Sequence, residues 1–136
     1  MRESTVCDFF LGQVSAERLD AEVSSSIRQV DAVTHQVEIE DMSDDFCIEP
    51  SMLIRLCDAA ASAQLSSDAL RHIAFAIIAS DHFKWTAAIV GEVLHDWAAP
   101  EINYAFTPEN MIKFRRWLRG DEPYPLKQGH RSQPAR

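Results

Sequence analysis

Long apolar runs, clustered glycines and paired cysteines are all missing from this chain, and each absence closes a class of function. No stretch approaches the roughly twenty apolar residues that a membrane-spanning helix needs, and the opening MRESTVCDFF has no long apolar region. A cytoplasmic protein with no membrane partner is therefore expected. The four glycines, Gly12, Gly91, Gly120 and Gly129, never gather into a phosphate loop, and no serine lies in GxSxG, which disfavours the usual nucleotide enzymes. The three cysteines, Cys7, Cys47 and Cys57, are odd in number and lack CxxC spacing, against both a disulfide framework and a zinc ribbon. They are expected as reduced thiols. Any of them would need a base nearby in space to act as a nucleophile.

Positive charge is scarce over most of the length. Residues 1–112 hold 6 Lys/Arg against 19 Asp/Glu, whereas residues 113–136 hold 7 against 2, for a total of −8. So acidic a body repels phosphate, which makes nucleic acid an unlikely partner and points to a basic one. Six acids, Glu38, Glu40, Asp41, Asp44, Asp45 and Glu49, fall in a stretch of twelve residues without Lys or Arg. A charge run of this kind is commonly a solvated loop, but a loop held on a helical scaffold is also where recognition groups sit.

What is present is helical punctuation. With 136 residues and 46% hydrophobic content the chain suits one domain with a continuous core. STVCDFFLG reads as a short helical turn closed by Gly12. Ser15 caps a second helix over roughly 16–32, with Leu19, Val23, Ile27 and Val30 on one face and Val14 and Leu19 spaced as a hydrophobic staple. Pro50 fits the first turn of a third helix ending near Gln64, with Leu53, Leu56, Cys57 and Ala60 inward. Ser66 or Ser67 caps a fourth, expected to be the most buried, along Leu70, Ile73, Ala74 and Ile77. The stretch from Lys84 to Leu118 holds all three tryptophans and organises the rest. Taken from Trp85, its first helix spreads Ile89, Val90, Val93, Leu94 and Trp97 over a wide arc, leaving Gly91, Glu92, His95 and Asp96 as a polar side. Pro100 stops it. Thr107 with Pro108 starts the last helix, Met111, Phe114, Trp117 and Leu118 facing inward, and Gly120 ends it.

The expected fold is thus all-α, a single domain of five or six antiparallel-packed helices over residues 1–120, followed by a flexible basic tail, 121–136. The helical period disappears over 33–49, where a short β-hairpin around Met42-Ser43-Asp44 and an irregular extended loop are equally compatible with the pattern.

For chemistry, His95-Asp96 in VLHDWA resembles the metal-binding doublet of the HD-domain phosphohydrolases, and His72 is the histidine that could join it. The plain reading is a solvent-facing pair on a helix edge. Asp81-His82 could form a general acid/base pair, against the plainer reading of two helix-terminal residues. No other His or Cys has metal-ligand spacing, and no cofactor is expected. Trp97 and Trp117 fall on inward stripes, while Trp85 and Tyr104, near helix ends, are expected to be partly exposed and to serve as anchors for a partner.

DFFLGQVSAERL and DWAAPEINYAFTPENMIKFRRWL resemble segments of small, acidic, helical bacterial immunity proteins of polymorphic-toxin and contact-dependent inhibition systems. The shared features are Gly12 and Ser15, then Pro100, Thr107 and Pro108. The resemblance implies a protein that catalyses nothing itself and neutralises a toxin by covering a basic surface, with Glu38, Glu40, Asp41, Asp44 and Asp45 as the covering groups. It carries over no active-site residue. Two alternatives remain open: an HD-type metal-dependent phosphohydrolase using His72, His95 and Asp96, and a structural or regulatory adaptor subunit, including a homo-oligomer, marked by a large exposed apolar patch.

Overall fold

Ser15, Ser66 and Thr107 each cap a helix in the computed structural model of the protein. Their side-chain oxygens accept the N–H of Arg18, Ala69 and Asn110, each at 3.1 Å. The structure describes residues 1–29 and 35–125, and of residues 28, 29 and 35–37 only the backbone. Within these, α1 spans Glu3–Phe10, α2 Ala16–Ser26, α3 Pro50–Ala61, α4 Ser67–Ala79, α5 Ala88–Ala98 and α6 Pro108–Arg119. Gly12 and Gly120 both take φ of +78° just past a helix end, the left-handed conformation that a side chain would strain. The fold is mostly helical with a small β element.

Helix α2 stops at Ser26 rather than near 32. Ser25 and Ser26 turn their hydroxyls back to the Glu22 carbonyl, at 2.9 and 2.8 Å, which weakens a helix made of three consecutive serines before the β-branched Ile27. The chain continues as β1, Ile27–Gln29, paired antiparallel with β2, His35–Val37. Val30, expected on the α2 stripe, lies outside the described residues.

The segment without helical period does not close on itself as a hairpin. β2 pairs backward to β1, while β3, Phe46–Cys47, pairs in parallel with β4, Phe83–Lys84. Long-range pairing of this sort leaves no local signature, since each strand is only two or three residues long. Ring packing fixes the β3–β4 joint on the core: Phe10 stacks on Phe46 and Phe46 meets Phe83 edge-on, both at 6.1 Å between centroids.

Helix α4 packs along α5 and α3 along α6. Seven residues of the eleven in α5 and six of the eight in α1 are buried against six of thirteen in α4, so α4 is not the most buried helix. It begins at Ala88, leaving Trp85 outside it, in the extended chain after β4. Residues 121–125 are not a free tail. The Tyr124 ring meets Trp117 at 5.0 Å and its hydroxyl donates to Asp96 Oδ2 at 2.5 Å. The remainder of the expected tail, 126–136, lies outside the described residues.

Candidate partner-binding surface

Residues 38–42 cross the start of α1, where hydrogen bonds at Glu38, Glu40 and Met42 hold them, and the chain then bends at Ser43 and Asp44 on its way to β3. The Glu38 N–H donates to the Ser26 carbonyl at 2.9 Å, the Glu40 N–H to the Met1 carbonyl at 2.8 Å, and the Glu40 carbonyl accepts the Glu3 N–H at 3.0 Å. Met42 N–H then donates to Glu3 Oε1 at 3.0 Å, and the Cys7 thiol points at the Met42 sulfur, 3.5 Å away. At the far end the Phe46 N–H donates to the His82 carbonyl at 2.8 Å. Ile39, Met42 and Phe46 face the core. Glu38, Glu40, Asp41, Asp44 and Asp45 are all exposed. Backbone pinned in this way has little ordering entropy left to lose when something docks on it.

The Asp45 carboxylate accepts from the His82 imidazole, with Nδ1 and Oδ1 3.0 Å apart. The histidine that could have acted with its neighbour Asp81 is partly exposed, as its plainer reading has it, and pairs with an acid 37 residues earlier. The Ser80 hydroxyl accepts the His82 N–H at 3.0 Å and sets the turn into β4. Among the described residues, the side chains of Glu40, Asp41 and Asp44 have no cationic partner. Arg2, whose backbone lies beside that of Glu40, is engaged with Glu22 at 3.2 Å.

The polar side expected on α5 is largely inside the protein. Glu92 is 4% exposed and Asp96 1%. One helical turn apart on the same face, they sit under the aromatic group formed by Tyr104, Phe114, Trp117 and Tyr124, whose neighbouring rings lie 5.0 to 5.8 Å apart. Desolvation first, and then the hydrogen bond and charge of Asp96, push the Tyr124 hydroxyl far above its ordinary range. Tyr104 is raised by the same two influences, burial and the Asp96 charge. The reading of His95-Asp96 as a solvent-facing pair is therefore corrected for Asp96, because a tyrosine 28 residues away covers it.

Of the two anchors expected to be partly exposed, Trp85 lies inside and Tyr104 is partly exposed. Trp85 is 2% exposed and offers no ring to a partner, while Tyr104 is half-buried, its ring against Phe114 and Trp117. His72 turns Nδ1 to its own helix, 2.7 Å from the Asp68 carbonyl. Among the described residues no three His, Cys, Asp or Glu side chains converge where a metal ion could be held, so His72, His95 and Asp96 are not assembled into one site. No helix of the described residues is long and apolar enough to cross a membrane. The exposed large apolar side chains, Leu11, Phe75, Ile102 and Ile112, come from four different parts of the fold.

A groove of about 520 Å³ opens between α3 and the turn into α2, lined by Phe9, Gly12, Gln13, Arg55 and Asp58 among others. The Arg55 guanidinium lies over the Phe9 ring, 5.6 Å from its centroid. Glu17 and Asp58 share the groove, so its charge is mixed.

Sequence reasoning missed Glu3, the buried acid beneath the acidic segment. Nothing local marks it, since its burial comes from residues 38–42 crossing over the start of α1. Compared with protein-family models, with curated proteins and with solved structures, the chain matches none.

Proposed function

We propose that this chain is a binding protein without catalysis of its own, which docks on a basic protein partner through residues 38–45 and acts as an immunity protein does on its toxin. The observation that carries the reading is the exposure and missing countercharge of Glu40, Asp41 and Asp44 on a segment whose backbone is tied down at Glu38, Glu40, Met42 and Phe46. Such a surface speeds encounter with a basic cleft and rejects acidic ones. With Trp85 buried and Tyr104 packed, the apolar share of the contact falls to the neighbourhood of Leu11, which is 56% exposed at the end of α1, next to the Phe10 that stacks on Phe46. An inhibitor of this kind covers the groups its target uses on nucleic acid, and it needs no cofactor.

The test starts with capture from lysate of the source cell at low salt, elution in salt steps and identification of what is released. The association rate of the purified partner is then measured for the wild type and for a variant carrying Glu40→Gln, Asp41→Asn and Asp44→Asn. The expected result is a stoichiometric basic protein whose association rate falls roughly tenfold in the variant and falls with salt in the wild type. Association indifferent to both changes would remove the reading.

A further inference from the structure

Glu3 is 1% exposed, and its Oε2 has no hydrogen-bond partner, while Oε1 accepts the Met42 N–H at 3.0 Å. The carboxylate is thus bonded through Oε1 to the backbone of the acidic segment, and its second oxygen is buried beside that bond without a donor. A buried carboxylate oxygen without a donor costs stability. The nearby donors are committed elsewhere. The Arg2 guanidinium and the Thr5 hydroxyl both go to Glu22 Oε1, each at 3.2 Å, and the Cys7 thiol goes to the Met42 sulfur. The carboxylate that carries the orphaned oxygen is thus tied to Met42, which stands between the exposed acids Glu40, Asp41 and Asp44 in the chain, is half-buried and has a flexible thioether.

Given the docking role proposed above, we infer that Glu3 is the acceptor at the floor of that surface and takes the guanidinium of an arginine that the basic partner inserts past Met42. Arginine fits better than lysine. Its planar fork presents several N–H donors at once, so one guanidinium can meet Glu3 Oε2 below and a carboxylate of the acidic segment above, whereas an ammonium is a point charge that holds its water more strongly. The acids at the surface then govern how fast the partner arrives, and Glu3 governs how long it stays.

The test uses the full chain and two probes, an arginine homohexapeptide and its lysine counterpart, titrated at low salt by calorimetry. The variants are Glu3→Gln and the triple Glu40→Gln, Asp41→Asn, Asp44→Asn. Glutamine keeps a carbonyl acceptor for the Met42 N–H and replaces the unpartnered carboxyl oxygen, so the Glu3→Gln protein is expected to melt at or above the wild-type temperature. It should nevertheless bind the arginine peptide roughly tenfold more weakly and lose the preference for arginine over lysine. Unchanged arginine binding in Glu3→Gln would overturn the inference, and so would a lower melting temperature, which would make Glu3 a structural acceptor. If the triple variant loses both peptides while Glu3→Gln loses neither, the acidic segment docks without Glu3. If the triple variant keeps both, the docking reading fails with it.

Discussion

Cys7 and Cys57 lie in surroundings that oppose ionisation. Desolvation first, then the charges of Asp8 and Glu3, push the Cys7 thiol up to about 12, and desolvation followed by Asp58 does the same for Cys57 despite the opposing Arg115. Cys47 is exposed, yet it too is raised, by local desolvation and by the Glu49 carboxylate 3.7 Å from its sulfur. Thiolate, not thiol, is what reacts. In the native protein at mildly alkaline pH, a thiol reagent is therefore expected to label Cys47 alone and slowly, with Cys7 and Cys57 following only on unfolding. Removing the neighbouring charge by Glu49→Gln should accelerate the Cys47 reaction severalfold. Mass spectrometry of the labelled chain checks both. Rapid native labelling of Cys7 would mean that residues 38–45 open readily away from α1, contrary to the pinned surface on which docking depends.

Between α1 and α2 the joint is made by Glu22. Desolvation pulls its pKa up, but the Arg2 N–H at 3.1 Å, the Thr5 hydroxyl and the Arg2 guanidinium outweigh it, so the carboxyl ionises below its ordinary range. A carboxyl depressed on folding contributes stability that is present above its unfolded pKa, near 4.3, and is lost as pH falls through the folded value. Glu22→Gln should therefore be destabilising near neutrality, by on the order of 1 kcal/mol after allowing for solvent screening of a partly exposed group. Its deficit should vanish as wild type and variant are compared at progressively lower pH, below about 4. Thermal melts across that range would show it, and a deficit independent of pH would assign the joint to packing. The same scale shows what the sequence makes legible. The caps at Ser15, Ser66 and Thr107 could be read because capping joins residues two or three apart. The β3–β4 pairing, the Tyr124 cover on Asp96 and the partner of His82 could not, because each joins residues 28 or more apart with nothing local to announce it. The acidic segment was visible as composition, but its floor at Glu3 was not, because burial of that residue depends on where a distant strand lies.

At the scale of the whole molecule, charge and stability oppose each other. The chain carries 21 acids against 13 Lys/Arg, and several of its ion pairs, such as Arg115–Asp58 and Arg116–Glu122, gather around α6 and the residues after it. Residues 38–45 contain five exposed acids, of which Asp45 meets His82. Like charges crowded on one segment repel one another, and among the described residues no cation pairs with Glu40, Asp41 or Asp44. The Glu40→Gln, Asp41→Asn, Asp44→Asn variant is therefore expected to melt a few degrees above the wild type at low ionic strength. Salt should erase the difference, since the Debye length shortens from about 30 Å at 0.01 M to about 3 Å at 1 M, below the spacing over which exposed charges act on each other. Melting curves of both proteins over that range of salt are the measurement. A variant less stable than the wild type at low salt would show that these carboxylates hold the segment in place, and their lack of partners would then be no sign of a docking role. A variant that gains stability while losing its basic partner would instead locate the selective reason for keeping the charge outside the folded chain, on the surface that approaches it.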